Sequence, residues 1–229
     1  MHDLKKTYVH RGDAERLERR VRSGFIVAGF AAVALLAARN WEPKVASGAT
    51  VSVVGQRAEF QRLQQELEVA KGEVEAATAQ LERWNRVFHF SSRFNVNAGL
   101  AAAIFDNAVA ERIDPELAFR LVKLESRFIE KATSPVGAVG LTQLMLPTAR
   151  YFQKGLTREQ LYDRQTNLRI GFRYLRGLIK EQRGDVQMAL LVYNRGPTAV
   201  LAARELGVDP SNGYDRVVMR GYKGKGILD

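Results

Sequence analysis

Glu125 is the acidic residue whose position in the sequence best suits proton-transfer chemistry. Asp114-Pro115 is a typical helix start, because the Asp side chain can cap the helix and proline fits its first position. We predict a helix near residues 115–129, with an apolar stripe formed by Leu117, Leu121, Leu124 and Phe128. Glu125 lies at the edge of this stripe, where partial burial would raise its pKa and keep it protonated as a general acid. On position alone, a solvated residue at the rim of the helix is the simpler interpretation.

Two later segments carry polar groups suited to binding sugars. Residues 134–143 form a loop with little charge, in which Gly140 permits close approach to a ligand. The loop ends at Gln143, whose amide can both donate and accept hydrogen bonds with sugar hydroxyls and N-acetyl groups. Further on, an apolar helix runs into Tyr193-Asn194 and stops at a Gly-Pro turn. An asparagine there is equally typical of a helix cap, so neither segment is specific by itself.

The three segments, in this order and spacing, resemble the soluble lytic transglycosylase domain, a relative of goose-type lysozyme. The family pattern is Glu-Ser on a helix, a Gly-Leu-Met-Gln loop, and Ala-Tyr-Asn-x-Gly. Its counterparts here are Glu125-Ser126, Gly140-Leu141-Thr142-Gln143 and Tyr193-Asn194-Arg195-Gly196. The stretch from Asp163 to Leu178 is also similar, through Asn167, Gly171, Tyr174 and Leu175, as is the ending Tyr214-Asp215-Arg216-Val217. The resemblance covers about residues 98–222, and the motifs are specific as a set.

The resemblance implies an all-α, lysozyme-like fold and cleavage of the glycan strands of peptidoglycan without a cofactor. Most glycosidases use two carboxylates, but substrate-assisted families are an exception. Glu125 would protonate the oxygen between N-acetylmuramic acid and N-acetylglucosamine, while the 2-acetamido group attacks the anomeric carbon. The same carboxylate would then take the proton of the C6 hydroxyl as a 1,6-anhydro ring closes. By the same resemblance, the residues that bind or orient the substrate are Ser126, Gly140, Gln143, Tyr193 and Asn194.

Several positions depart from the family pattern. They are Thr142 in place of Met, Pro147 one place later than usual, Arg164 in place of Pro, Val192 in place of a small residue, and Arg195 in place of Ala. None of them removes the proton-transfer group. Val192 and Arg195 adjoin the Tyr-Asn motif, so the shape of the sugar subsites is where we expect this chain to differ.

Two alternative functions remain open from the sequence. A lysozyme-type hydrolase would need a second carboxylate to activate water, and Asp163 and Asp185 are candidates by chain position. Both also fit the simpler description of turn or cap residues. A membrane-tethered scaffold that binds peptidoglycan without cutting it is the other alternative, and the presence of Glu125 argues against it.

The elements that must position these residues are helices, in a catalytic domain over residues 95–229. Period-two alternation is scarce and no hairpin signature stands out, so we predict an all-α domain. The predicted helices lie near residues 98–112, 115–129, 147–154, 158–162, 165–182, 185–193, 196–205 and 213–220.

A long amphipathic helix is predicted ahead of this domain, over residues 56–90. Its apolar residues alternate in steps of three and four along Phe60, Leu63, Leu67, Ala70, Val74, Ala77, Leu81, Trp84 and Phe88. This seam is a heptad pattern, which favours a coiled coil and so a homo-oligomer or a spacer. The alternative is a helix that packs against its own domain.

The N-terminal part has the pattern of a membrane anchor. Residues 1–22 are basic, residues 23–39 form an apolar segment, and residues 40–55 have the composition of a linker. The excess of Lys and Arg before the apolar segment predicts a cytoplasmic N-terminus and a periplasmic domain tethered to the bacterial inner membrane. A cleaved signal peptide and a buried soluble helix are the alternatives.

Composition excludes several classes of site. The chain of 229 residues has no cysteine, which removes disulfides, thiolate catalysis and Cys-based zinc sites. None of its three histidines, His2, His10 and His89, has metal-ligand spacing, so we predict no metal site. A formal net charge of +10 implies an anionic partner. The basic residues are dispersed without a reader motif, so we predict that this partner is not nucleic acid.

Overall fold

The structure, a computed structural model, describes residues 53–228, and every regular element in that part of the chain is an α-helix. The helices are α1 (Val53–Phe94), α2 (Ala98–Ala110), α3 (Pro115–Ser126), α4 (Leu146–Phe152), α5 (Arg158–Leu161), α6 (Arg164–Glu181), α7 (Val186–Arg195), α8 (Pro197–Glu205) and α9 (Tyr214–Met219). The all-α prediction is confirmed for these residues.

The predicted basic N-terminus (1–22), the membrane anchor (23–39) and most of the linker lie outside the described residues. Residues 53–55, assigned to the linker from the sequence, instead form the start of α1. Across residues 53–228, no helix combines the length and apolar character needed to cross a bilayer.

Helix α1 is 42 residues long, and its apolar seam faces solvent. The chain divides within α1 into two compact units, residues 1–66 and 67–229, and the second contains the predicted catalytic domain. The seam residues that are more than half exposed are Phe60, Leu63, Leu67, Val74, Leu81 and Phe88. Within the second unit, α1 packs on the domain through Val87 and Phe90, which are buried, and through an ion pair from Arg83 to Asp106 of α2. The packing face of α1 is therefore not the seam.

The helices of the domain begin and end within three residues of the predicted bounds. Asp114, Asp163 and Asp185 each accept a hydrogen bond from a backbone N–H in the first turn of a helix, as capping residues do. The largest difference is at α3, which ends at Ser126 rather than near residue 129. Arg127 and Phe128 have φ of 51° and 65°. This left-handed backbone ends the helix at Ser126, the residue after Glu125.

The main core joins the end of α1 to α2, α3 and the helices from α6 onward, and a smaller core lies under α4 and α5. The C-terminal segment closes over the start of α3. Tyr222 donates a hydrogen bond of 2.7 Å to Asp114, and Ile227 forms an isolated β-bridge with Ile113. Because Asp114 is the cap of α3, this segment helps to position the helix that carries Glu125.

Candidate active site

The carboxyl of Glu125 lies in the last turn of α3 and is half-buried. The hydroxyl of Tyr214, the first residue of α9, donates a hydrogen bond to Glu125 Oε1. Burial raises the pKa of Glu125 from 4.5 to about 7, although the hydrogen bond from Tyr214 acts in the opposite direction. The group therefore exists in both protonated and ionised forms near neutral pH, as an acid that later acts as a base requires.

Two tyrosine hydroxyls share this region with Glu125. Burial, followed by the nearby negative charge of Glu125, raises the pKa of both Tyr193 and Tyr214 well above 10. Tyr193 donates a hydrogen bond of 2.8 Å to the carbonyl of Thr142, and its ring lies 5.2 Å from that of Tyr174. Tyr193 thus links the surroundings of Glu125 to the glycine-bearing loop. At neutral pH both hydroxyls stay protonated and serve as hydrogen-bond donors.

The backbone has a positive φ at several positions of the loop between α3 and α4, among them Gly140 and Gln143. Gly140 has a φ of 79°, and a Cβ there would lie 2.3 Å from the side-chain nitrogen of Asn167. Gln143 has a φ of 47°, and its amide nitrogen donates to the carbonyls of Gly140, at 2.9 Å, and Ala132, at 3.3 Å. Gly140 is therefore required by the loop itself. Among the described residues the Gln143 amide oxygen accepts no hydrogen bond, which leaves it able to contact a ligand.

The departure at Thr142 is explained by Asn167 and Gly171, which lie four residues apart on α6. Asn167 is buried, donates to the carbonyls of Val139 and Leu161, and accepts bonds of 2.8 Å from both the N–H and the hydroxyl of Thr142. A Cβ at Gly171 would lie 2.4 Å from Thr142 Oγ1. Thr142 therefore packs directly against the bare backbone of α6. This contact holds the loop close to Tyr193.

Ser126 and Asn194 occupy different environments from the one around the carboxyl. Ser126 is buried, and its hydroxyl donates to the carbonyl of Val122 at 3.1 Å. Asn194 is exposed and accepts a hydrogen bond of 2.8 Å from the side chain of Asn212. The structure thus brings together Glu125, Tyr193 and the loop through Gln143, whereas Ser126 is turned into the core and Asn194 lies at the surface.

Residues 102–208 match the family model of the transglycosylase SLT domain. This part of the chain is similar to an SLT domain. A curated relative, the transglycosylase of Enterobacteria phage PRD1, is 40% identical over 84 residues, which is 37% of this chain and 30% of the relative. The chain therefore spans less than a third of the length of that relative.

Two solved structures are also similar. One is an inactive mutant of the lytic transglycosylase Slt from Pseudomonas aeruginosa, with 28% identity, a TM-score of 0.44 and coverage of 51% of this chain and 22% of that one. The other is the 70 kDa soluble lytic transglycosylase of Escherichia coli, with 26% identity, a TM-score of 0.47 and coverage of 57% and 24% respectively.

Two residues that support the site were not predicted to belong to it. Tyr214 lies beyond the matched residues of the SLT domain, yet its hydroxyl bonds to Glu125. Asn167 lies within the domain and fixes Thr142. Both residues lie in segments that resemble the family, and this resemblance was the signal in the sequence that could have pointed to them. The sequence did not indicate that Tyr214 contacts Glu125 or that Asn167 contacts Thr142.

The departures at Val192 and Arg195 lie three residues apart on α7 but differ in exposure. Val192 is buried in the core, and Arg195 is exposed and donates to the carbonyl of Pro210 at 2.6 Å. Arg164, at the start of α6, pairs with Glu130, and Pro147 lies in the first turn of α4. Among the described residues, none of these four side chains hydrogen-bonds to Glu125.

A lysozyme-type hydrolase would need a second carboxylate near Glu125, and the pKa of Glu125 gives no sign of one. The influences that shift this pKa, among the described residues, are burial and Tyr214, with no contribution from another acidic group. Asp163 and Asp185, the candidates from the sequence, cap α6 and α7. The same part of the chain contains no cluster of three or more His, Cys, Asp or Glu side chains arranged to hold a metal ion.

Asp215 is the acidic residue that directly follows Tyr214, and it is fully buried. Burial opposes its ionisation, but hydrogen bonds from Ser211, at 2.7 Å, and Gln187, at 2.6 Å, lower its pKa overall. Through these hydrogen bonds its carboxylate connects the start of α9 to α7. This role positions Tyr214 and, through Tyr214, the carboxyl of Glu125.

Proposed function

We propose that this protein is a lytic transglycosylase that cleaves the β-1,4 bond between N-acetylmuramic acid and N-acetylglucosamine in peptidoglycan, with Glu125 as the single acid and base. The observation that carries the proposal is the half-buried carboxyl of Glu125, with a pKa of about 7 and no acidic neighbour shifting it among the described residues. The SLT domain over residues 102–208 supports the same reaction class.

In the first step, protonated Glu125 gives its proton to the glycosidic oxygen as the bond from that oxygen to the anomeric carbon breaks. The 2-acetamido carbonyl of the same muramoyl sugar attacks the anomeric carbon and forms a cyclic oxazolinium intermediate. In the second step, the Glu125 carboxylate takes the proton of the C6 hydroxyl. The C6 oxygen then attacks the anomeric carbon, reopens the ring of the acetamido group and leaves a 1,6-anhydro end. Water is not consumed, and Glu125 returns to its protonated form.

Neighbouring groups orient the carboxyl and the sugar in this proposal. Tyr214 binds Oε1 of Glu125, which leaves the other oxygen for the substrate. The Gln143 side chain offers its amide oxygen to the substrate, and Tyr193 supports the loop from which Gln143 projects. Asn194, at the exposed end of α7, is a further candidate for sugar contacts. Gly140 is buried, and its N–H and carbonyl form hydrogen bonds within the loop, so it supports the site by shaping the loop. Ser126 acts in this arrangement by packing the end of α3 rather than through its hydroxyl.

The test is digestion of purified sacculi by the full-length protein, followed by mass spectrometry of the released muropeptides. Muramoyl products that are lighter by one water, with 1,6-anhydro ends, support the proposal. Reducing ends indicate a lysozyme-type hydrolase and overturn it. Binding to sacculi without soluble products would indicate the non-catalytic scaffold.

We also propose that the chain is held at the bacterial inner membrane by residues 23–39, with the SLT domain in the periplasm. The apolar segment and the basic residues before it support this topology. Protease added to spheroplasts is expected to digest the SLT domain while sparing a tag at the N-terminus. Release of the full domain into a soluble periplasmic fraction would instead indicate a cleaved signal peptide.

The exposed seam of α1 supports a further proposal, association with a second copy of the chain. The seam keeps its three-and-four spacing from Phe60 to Phe88, and its large side chains are exposed. The acidic residues Glu59, Glu66 and Glu73 precede every second seam position, and Lys71 follows one of the others. In a parallel pair this pattern sets Glu66 of one helix near Lys71 of the other, whereas an antiparallel pair would bring glutamates together.

A further inference from the structure

Helix α9 is short, and only one of its apolar side chains, that of Val218, is buried. It has six residues, and a helix of this length is not stable by itself in water. Its position therefore depends on contacts with the rest of the fold. The first residue of α9 is Tyr214, whose hydroxyl bonds to Glu125. The contacts that fix α9 therefore also fix this hydrogen bond.

Arg120 of α3 binds the end of α9 that is farthest from Tyr214. Its Nη1 donates hydrogen bonds to the carbonyl of Val218, at 3.0 Å, and to that of Arg220, at 2.6 Å. The last carbonyls of a helix have no partner within the helix, and a cation placed there also interacts favourably with the helix dipole. Arg120 thus caps α9 from a neighbouring helix.

Helix α3 consequently holds α9 at both ends. Glu125 accepts a hydrogen bond from the start of α9, and Arg120, five residues earlier on α3, donates to its end. Five residues correspond to a rise of about 7.5 Å along α3, close to the length of about 9 Å of a six-residue helix. A helix held at one end can pivot about that contact. The contact at the second end removes this freedom, so the Tyr214 hydroxyl stays on Oε1 of Glu125.

The guanidinium of Arg120 is itself held in this orientation. Its Nε donates to Glu116, one turn earlier on α3, at 2.6 Å, and the side chain of Arg120 is only 16% exposed. Glu116 also accepts hydrogen bonds from two nitrogens of Arg93, in the last turn of α1. Because the two arginines share one carboxylate, the end of α1 helps to orient the side chain that holds α9.

We propose that Arg120 is a positioning residue for the reaction, which acts through α9 by holding the Tyr214 hydroxyl on Glu125. The inference rests on the proposed function. Among the described residues, the influences on the pKa of Glu125 are burial and Tyr214, so the charge of Arg120 does not act on the carboxyl directly. The other titratable group that interacts with Glu125 is Tyr193 of α7, whose hydroxyl is bound to Thr142. Loss of Arg120 therefore reaches Glu125 through Tyr214.

Most partners of Arg120 lie outside the residues that match the family model. Glu116 is within the matched residues 102–208, whereas Arg93 precedes them and Val218 and Arg220 follow them. The segments on either side of the match thus supply the contacts through which Arg120 acts.

The test measures the pKa of Glu125 directly in the full-length protein. The side-chain carboxyl carbon of Glu125 is followed by NMR through a pH titration, and its signal is assigned by its loss in Glu125→Gln. The variant is Arg120→Met, which keeps an unbranched side chain and removes the donors. The matched control is Arg176→Met. Arg176 of α6 also pairs with a glutamate, Glu111, and donates to a carbonyl at the end of a helix, but that helix is α2.

Arg120→Met should raise the pKa of Glu125 by roughly half a pH unit to one pH unit, because a hydrogen bond that favours the ionised form is lost. The alkaline limb of kcat/KM against pH should move up by the same amount. In a Tyr214→Phe background Arg120→Met should cause no further rise, since the bond through which it acts is already absent. Arg176→Met should lower Tm without changing the pKa.

Three results would overturn the proposal: an unchanged pKa in folded Arg120→Met, an equal rise in Arg176→Met, or a further rise in the Tyr214→Phe background. If Arg120→Met does not fold, Arg120→Lys is judged by the same criteria, because lysine keeps the charge beside Glu116 but lacks the planar fork of donors. The titration needs no substrate. A pKa that responds as expected in a protein that releases no anhydro products would therefore refute the proposed function and leave the effect of Arg120 on Tyr214 established.

Discussion

Replacing Glu125 with glutamine should make the protein more stable at alkaline pH while removing its activity. Burial raises the pKa of Glu125 from 4.5 to about 7. For a carboxyl whose pKa is higher in the folded state, the folded protein holds the proton more tightly, so stability falls as pH rises from about 4.5 to about 7. Above that range the folded state carries a desolvated charge. Glutamine has nearly the same shape and no charge, so the variant avoids this destabilisation.

The size of the effect follows from the two pKa values. At about 1.4 kcal/mol per pH unit, a rise from 4.5 to about 7 corresponds to about 3 kcal/mol, as an upper bound. Because the side chain is only half-buried, solvent reduces this value, and we expect a gain of about 2 kcal/mol at pH 8. For a domain of this size that is a rise in Tm of roughly 4 to 8 °C. At pH 4 the gain should vanish, because the wild-type carboxyl is then protonated in both states.

The assay is thermal unfolding of both proteins at pH 4, 6 and 8, alongside digestion of sacculi. Turnover of Glu125→Gln should fall by about 10² to 10⁴. The matched control is Glu205→Gln, an exposed glutamate for which we expect no pH-dependent change in Tm. If the difference in Tm between Glu125→Gln and wild type were the same at pH 4 and pH 8, Glu125 would not be desolvated and the reasoning about its pKa would be refuted.

Other predictions follow from single contacts. Tyr214→Phe removes a hydrogen bond that favours the ionised form of the Glu125 carboxyl. If Glu125 is the proposed acid, the alkaline limb of kcat/KM against pH should move up by about one pH unit, and an unchanged or lower limb would contradict this role. Gly171→Ala should destabilise the protein by about 2 kcal/mol in chemical denaturation, because its Cβ would lie 2.4 Å from Thr142 Oγ1 and 2.6 Å from Thr142 Cβ. Adding Thr142→Gly removes both atoms and should restore part of the loss, whereas strict additivity would refute the clash. Since the chain has no cysteine, Val74→Cys should give a disulfide-linked dimer on oxidation if two seams pair in register, and Glu75→Cys should not. Equal cross-linking of both variants would count against pairing through the seam.

The helices of the domain could be predicted closely because their start signals are local. Asp114, Asp163 and Asp185 each cap a helix with their own side chain, and such signals act over three or four residues. The end of α3 could not be predicted in the same way. Arg127 and Phe128 are not residues that favour positive φ, so the left-handed turn after Ser126 is imposed by packing. Phe128 leaves the helix and meets Phe94, which lies 34 positions earlier in the chain.

In the site, too, features that depend on neighbouring residues could be predicted, and contacts between distant residues could not. The position of Glu125 beside an apolar stripe was visible in the sequence, and its side chain is half-buried in the structure. The hydroxyl that bonds to Glu125 comes from Tyr214, 89 residues later, and no periodicity or spacing reports a contact over that distance. Ser126 shows the converse. The resemblance to the family predicted a substrate contact for Ser126, the residue after Glu125. Successive residues on a helix point about 100° apart, and in the structure Ser126 is buried in the core.

In the proposed mechanism, the acid–base balance at Glu125 also defines how much of the chain the reaction needs. A group that first gives and then takes a proton works best with a pKa near the working pH, since a higher value makes a poor base and a lower one a poor acid. Burial alone would raise the pKa of Glu125 further, and the hydrogen bond from Tyr214 opposes it. Tyr214 lies beyond the matched residues 102–208 and is positioned through Asp215. A fragment that stops at residue 208 would keep the family motifs yet lose this adjustment, so the functional unit extends at least through α9.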